Sequence, residues 1–149
     1  MSASPFLKYR DMVLGYYGTA GWLRRVIMAM WNGNDYKTGL SQITGLDAQH
    51  YQAFSEMVAH FRQYGESDSA FMALANDILA RMAEEQAAAD REVALDAWLD
   101  DVRDHSQLTR RATENAIDDH HGWLTRQFDD GVSAEQATRL LERKIQETT

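Results

Sequence analysis

Cysteine is absent from this chain, proline occurs once (Pro5), and no apolar run is long enough to cross a bilayer. The missing thiols exclude a disulfide framework, a cysteine nucleophile and a thiolate metal site. The short apolar runs exclude a membrane span, which takes roughly 18 or more consecutive apolar residues. The opening stretch MSASPFLKYR has no basic segment followed by an apolar core, so no secretory signal is expected. The expectation is a cytoplasmic protein with no membrane contact. Catalytic signatures are missing too: no G-x-S-x-G, no P-loop and no H-E-x-x-H occurs. The alternation of apolar and polar residues that marks a strand is found nowhere.

Positive charge is also short. Lys and Arg number 15 against 23 Asp and Glu, a net charge of −8. Residues 1–83 carry seven of each sign; residues 84–149 carry eight basic and sixteen acidic, so the whole imbalance lies in the second part. Direct binding to nucleic acid is disfavoured, because phosphate contacts need basic patches. A basic protein partner, or solubility alone, is favoured. Glycine divides the same way: seven of nine lie at or before Gly65, and none between Gly65 and Gly122. The pattern predicts short helices with turns, then long helix.

What is present reads as helix throughout. In Gly18–Gly33 the large apolar residues Trp22, Leu23, Val26, Ile27, Met30 and Trp31 fall on one face of a 3.6-residue helix, with Arg24 and Arg25 off it. Thr19 is the expected cap and Gly33 the expected left-handed stop. Before it, Ser4 and Pro5 open a helix bearing Phe6, Tyr9, Met12, Val13, Tyr16 and Tyr17. Gly15, Gly18 and Gly21, spaced by three, lack the spacing and the preceding strand of a dinucleotide fingerprint and read as a helix–helix corner. After a turn-rich connector, Leu40, Ile43 and Leu46 are expected to dock on the core. Asp47 caps a helix with Tyr51, Phe54, Met57, Val58 and Phe61, closed by Gly65. Ser67 or Asp68 opens another, with Phe71, Leu74, Ile78, Leu79 and Met82.

Gly18, Gly21, Arg24–Arg25–Val26 and Trp31–Asn32 compose a G-x-x-G-x-x-R-R-V pattern leading into an apolar helix that ends W-N. On these residues the segment of about 9–82 resembles an uncharacterised family of small bacterial proteins carried on plasmids and other mobile elements. The resemblance implies a mobile-element context and assigns no activity and no functional residue.

From Ala83 the large apolar residues thin out. The run Ala83–Glu92 is rich in alanine and strongly helix-forming, with a break near Ala89 left open. Leu95, Trp98, Leu99 and Val102 follow. Ser106 is the expected cap of a helix through Phe128, interrupted or bent near Gly122. Asp129–Asp130–Gly131 is a turn, and Ser133 with Gln136 is a capping-box signature for a last helix with Leu140, Leu141 and Ile145.

Three features in this part can carry function. Glu92, Asp96, Asp100 and Asp104 recur every four residues, about 6 Å apart along one helix face. Asp101 adds charge, and only Arg91 and Arg103 lie near enough to compensate. The stripe reads as a solvated face, as a docking face for a basic protein, or as a mimic of successive phosphates. Trp98 and Trp123 lie where no dense apolar face exists, so they pack within a bundle or serve an interface, including one between two copies. Glu114, Asp118 and His121, at i, i+4 and i+7, with Asp101 and His105, are the alternative: a divalent metal held between two helices of an enzyme. Helical carboxylate sites usually repeat Glu-x-x-His on paired helices, which this chain does not. His50 and His60 have no partners at ligand spacing.

These readings converge on an all-α protein, with a compact helical domain over 1–83 and an acidic helical region over 84–149 that folds back as a bundle or hairpin or serves as a dimer arm. The expected function is non-enzymatic. An acidic module, phage- or plasmid-encoded, binds and inhibits or regulates a basic protein, such as a nucleic-acid-binding defence protein, or acts as an immunity protein or antitoxin. The partner-binding candidates are Glu92, Asp96, Trp98, Asp100, Asp101, Asp104 and Trp123. No cofactor and no catalytic residue is assigned.

Overall fold

A computed structural model describes residues 3–149, and the chain is all-α; among the described residues there is no strand. It comprises two compact units, Met1–Glu84 and Glu85–Thr149.

In the first unit, Ser4 caps α1 (Pro5–Lys8) by accepting the Phe6 N–H, and α2 (Arg10–Val13) follows at once. The single helix expected through Tyr17 is therefore broken at Tyr9 and stops at Leu14. Phe6 and Val13 are buried, while Tyr16 stands almost wholly in solvent with Arg81 over its ring. Two arginines close the end of α2. Arg24 donates to the carbonyls of Val13 and Gly15 at 2.8 and 2.7 Å, and Arg81 donates to that of Leu14 at 2.5 Å. Helix-terminal carbonyls have no partner within their own helix, and these side chains supply one.

The core helix α3 (Gly18–Trp31) buries Trp22, Leu23, Val26 and Ile27, with Ala20 and Met28 beside them. Trp22 donates its indole N–H to the Gly39 carbonyl at 2.9 Å, so a buried polar atom is satisfied as its ring is sunk. Both expected ends differ. Tyr17, in extended backbone, occupies the N-cap position, and Thr19 lies inside the helix. Gly33 is not left-handed; instead the Asn32 side chain accepts the N–H groups of Asn34 and Asp35. That local turn ends the helix without a glycine conformation.

A 3-10 turn, Ser41–Gly45, leads to α4 (Ala48–Tyr64). Ile43 and Leu46 pack on the core as expected, but Leu40 is exposed. Asp47 caps α4 by accepting the His50 N–H, and Gly65 ends it at φ +51°. Tyr51 and Val58 lie on the outer side of α4 rather than in the core. Phe71, Leu74, Ala75 and Ile78 on α5 (Ser69–His105) complete the cluster around Trp22. Fully burying side chains of this size contributes roughly 1.5–3 kcal/mol each, which is why this cluster dominates the unit.

The break held open near Ala89 does not occur: α5 runs unbroken for 37 residues. Its exposed stretch 82–94 contains no glycine or proline, and alanine is the best helix former, so propensity favours helix where packing is thin. In the second unit, Leu95, Leu99 and Val102 of α5 meet Ala116 and Ile117 of α6 (Arg110–Asp119), Leu124 of α7 (His121–Asp129) and Leu141 of α8 (Ala134–Thr148). These helices pack as a bundle. Thr109, not Ser106, caps α6; Ser106 instead accepts the Leu108 N–H. The interruption expected near Gly122 is present, and it falls at His120, between α6 and α7. Gly131 turns the chain at φ +77°, and Ser133 caps α8 by accepting the Gln136 N–H.

Candidate functional site

The acidic ridge of α5 follows from its period. Leu95, Leu99 and Val102 sink into the second unit, which turns Glu92, Asp96, Asp100, Asp101 and Asp104 outward; all five are exposed. Of the two arginines expected to compensate them, only one does so. Arg103 donates to Asp100 at 2.7 Å and to Glu114 at 2.9 Å. Its already high pKa is raised further, first by the Glu114 hydrogen bond. Arg91 turns away to Asp129, to which its Nε and Nη2 donate at 2.7–3.0 Å. Glu92, Asp96 and Asp104 thus have no cationic partner among the described residues.

The tryptophans stand on the other side of this arrangement. Trp98 is half-buried against Phe128, ring centroids 5.8 Å apart, and donates its indole N–H to the Val132 carbonyl at 3.0 Å. Trp123 packs on the same cluster, with the Lys144 ammonium 5.9 Å from its ring. Both help fasten the helices of the second unit together.

The metal alternative is not assembled. His120 separates α6 from α7, so Glu114 and Asp118 share one helix while His121 begins the next, and the i, i+4, i+7 face is lost. Glu114 is held by Arg103, and His105 points Nδ1 at the Asp101 carbonyl, 2.7 Å away. Among the described residues no group of three or more His, Cys, Asp or Glu is placed to hold a metal ion. Nor is any described helix long and apolar enough to cross a membrane.

Two histidines without evident partners in the sequence acquire them in the fold. His60 lies 3.0 Å from Asp68, which also accepts the Ser4 hydroxyl at 2.6 Å and the Ala70 N–H at 3.0 Å. Burial pushes the Asp68 carboxyl up, but these hydrogen bonds and the His60 charge outweigh it and leave the pKa below its ordinary 3.8. His50 lies between Asp47 and Tyr17. Its Nδ1 is 2.9 Å from each Asp47 oxygen, and its Nε2 is 2.9 Å from the Tyr17 hydroxyl. The Asp47–His50 spacing of three is legible at a helix start, whereas Tyr17, 33 residues from His50, is brought there only by folding.

No protein-family model matches the chain, and no curated protein or solved structure matches it. A functional reading therefore rests on the chemistry of its own residues.

Proposed function

We propose that this chain is a non-enzymatic acidic module that binds a basic protein through the ridge Glu92–Asp96–Asp100–Asp104 and inhibits or regulates it in the cytoplasm. The observation that carries the reading is the unpaired state of Glu92, Asp96 and Asp104 on a helix that has arginines at hand and directs one of them elsewhere. Like charges four residues apart cost a helix a few tenths of a kcal/mol per pair. A partner's Lys or Arg side chains, laid along roughly 18 Å of ridge, would remove that repulsion and steer association. Trp98 and Trp123 would brace α5 from the core side. A target that itself binds nucleic acid would present the required basic surface. An inhibitor of a defence or regulatory protein, or an immunity protein or antitoxin encoded on a phage or plasmid, would present such an acidic face to a basic target.

The test is affinity capture from a bacterial lysate at low and high salt, beside a variant carrying E92Q, D96N, D100N and D104N. A basic protein held at low salt, released at high salt and not held by the variant is the expected result. Capture that survives both salt and the substitutions, or no capture at all, would sink the acidic-ridge reading.

A further inference from the structure

A groove open to solvent, with a volume of about 570 Å³, runs between α3 and α4 of the first unit. Val26, Ala29 and Met30 line it from α3, and Phe54, Val58 and Phe61 from α4. These positions recur at i, i+3, i+4 and at i, i+4, i+7, so each helix presents one continuous apolar strip. Leu40, on the connector, lines the groove while 60% exposed, and Val58 is 38% exposed. Apolar surface is left in water here although the core beneath is complete: Phe54 packs on the buried Trp22, ring centroids 5.3 Å apart. The polar side chains among the described lining are Thr38 and Arg62. Arg62 pairs with no carboxylate among the described residues. Glu66, four residues on, lies past the end of α4 in the turn Gly65–Ser67 and does not pair with it. Two other clefts differ. Lys8 meets Glu56 at 3.6 Å in one, and Arg10 is bonded to Asp77 in another, so their charges are matched within the chain.

We propose that this groove binds an aliphatic carboxylate, with its head on Arg62 and its chain along Val58 to Phe54. An apolar strip that ends at an unmatched guanidinium fits a molecule with an apolar body and one anionic head. A carboxylate suits a lone guanidinium, because two parallel N–H donors match its two oxygens. A phosphate monoester would bring nearly two charges to one cation. Length and width agree with an alkyl chain. From Phe54 to Arg62 the helix rises about 12 Å, the reach of an extended chain of roughly eight to ten carbons. Spread over that length, the volume gives a cross-section of about 50 Å². A helix about 10 Å across occupies roughly 80 Å², so an alkyl chain enters where a partner's helix does not.

The experiment is isothermal calorimetry of the full chain with octanoate and with 1-octanol, which shares the chain and lacks the charge. Saturable one-to-one binding of octanoate is expected, roughly tenfold or more tighter than octanol, as a charge-assisted hydrogen bond supplies. R62Q should weaken octanoate about tenfold and leave octanol within about twofold. V58E places a carboxylate four residues before Arg62, where the two can pair along the helix. It supplies the missing anion from within and should abolish octanoate binding. Both substitutions fall at exposed positions of α4, and circular dichroism should show unchanged helix content. No saturable binding at millimolar octanoate, or octanol held as tightly as octanoate, would overturn the proposal. So would R62Q or V58E binding octanoate as the native chain does. The groove shares no residue with the acidic ridge, so each reading can fail without the other.

Discussion

Gly65 ends α4 at φ +51° and ψ −134°, a backbone state that side chains with a Cβ rarely adopt. A Cβ there would meet nothing within 4 Å, so any penalty for G65A belongs to the backbone and not to a clash. The expected loss is about 1–3 kcal/mol, read as a lower midpoint in urea denaturation; a neutral substitution would mean that the turn relaxes freely. At Asp68, hydrogen bonds from Ser4 and Ala70 and the nearby His60 prevail over burial and hold the carboxyl below its ordinary 3.8. The sign follows from linkage. A carboxyl with a depressed folded pKa contributes stability that is full above the unfolded value near 3.8 and lost as pH falls through the lower folded value. D68N keeps the cap but removes the titration. It should be less stable than the native chain at neutral pH, and the gap should narrow as denaturation curves are taken from pH 5 downward through about 3. A constant gap at every pH would show that the Asp68 charge is not what matters.

Among the elements, α5 is the one whose length no packing argument requires, since its residues 82–94 are exposed throughout. Helix propensity must hold that stretch, and A88G should therefore cost about 1 kcal/mol of local helix stability. Hydrogen exchange should show faster opening of the amides around residue 88, with the Trp22 cluster unaffected. Uniform acceleration across the chain would instead mean that the stretch is coupled to global unfolding. The same helix shows what the sequence disclosed and what it withheld. Apolar spacing in Trp22–Leu23–Val26–Ile27 and in Phe71–Leu74–Ile78 announced core faces, because a buried stripe must repeat at the helical period. The caps at Ser4, Asp47 and Ser133 were legible for an equally local reason, a side-chain oxygen bonding a backbone N–H two or three residues on. The early end of α2 was not, because it is closed by Arg24 and Arg81, the latter 67 residues away from the carbonyl it holds. In the sequence Arg24 is only a polar residue off the apolar face. The acidic ridge was visible as a period of four, but which of its charges lack a partner depended on Arg91 choosing Asp129, 38 residues away. The Tyr17–His50 contact was hidden for the same reason: distance along the chain carries no record of tertiary neighbours.

At the scale of the whole molecule, the net charge of −8 resides entirely in residues 84–149. Four neutralising substitutions on the ridge, E92Q, D96N, D100N and D104N, would halve it, from −8 to −4. They remove three like-charge pairs at i,i+4 spacing, each destabilising by roughly 0.2–0.5 kcal/mol, and forfeit the exposed Asp100–Arg103 pair, which is worth a similar amount. The balance predicts that the variant equals or exceeds the native chain by about 1 kcal/mol at low salt. The difference should shrink at high salt, where charges more than a Debye length apart no longer interact. Urea denaturation of both proteins at two ionic strengths measures it. Should the native chain be the more stable at low salt, the ridge carboxylates must be engaged within the fold, and neither repulsion nor a waiting partner explains their spacing. Should the variant be the more stable yet fail to hold the basic protein that the native chain captures, the ridge is retained at a cost in stability because binding requires it, the relation expected where function and stability compete for the same residues.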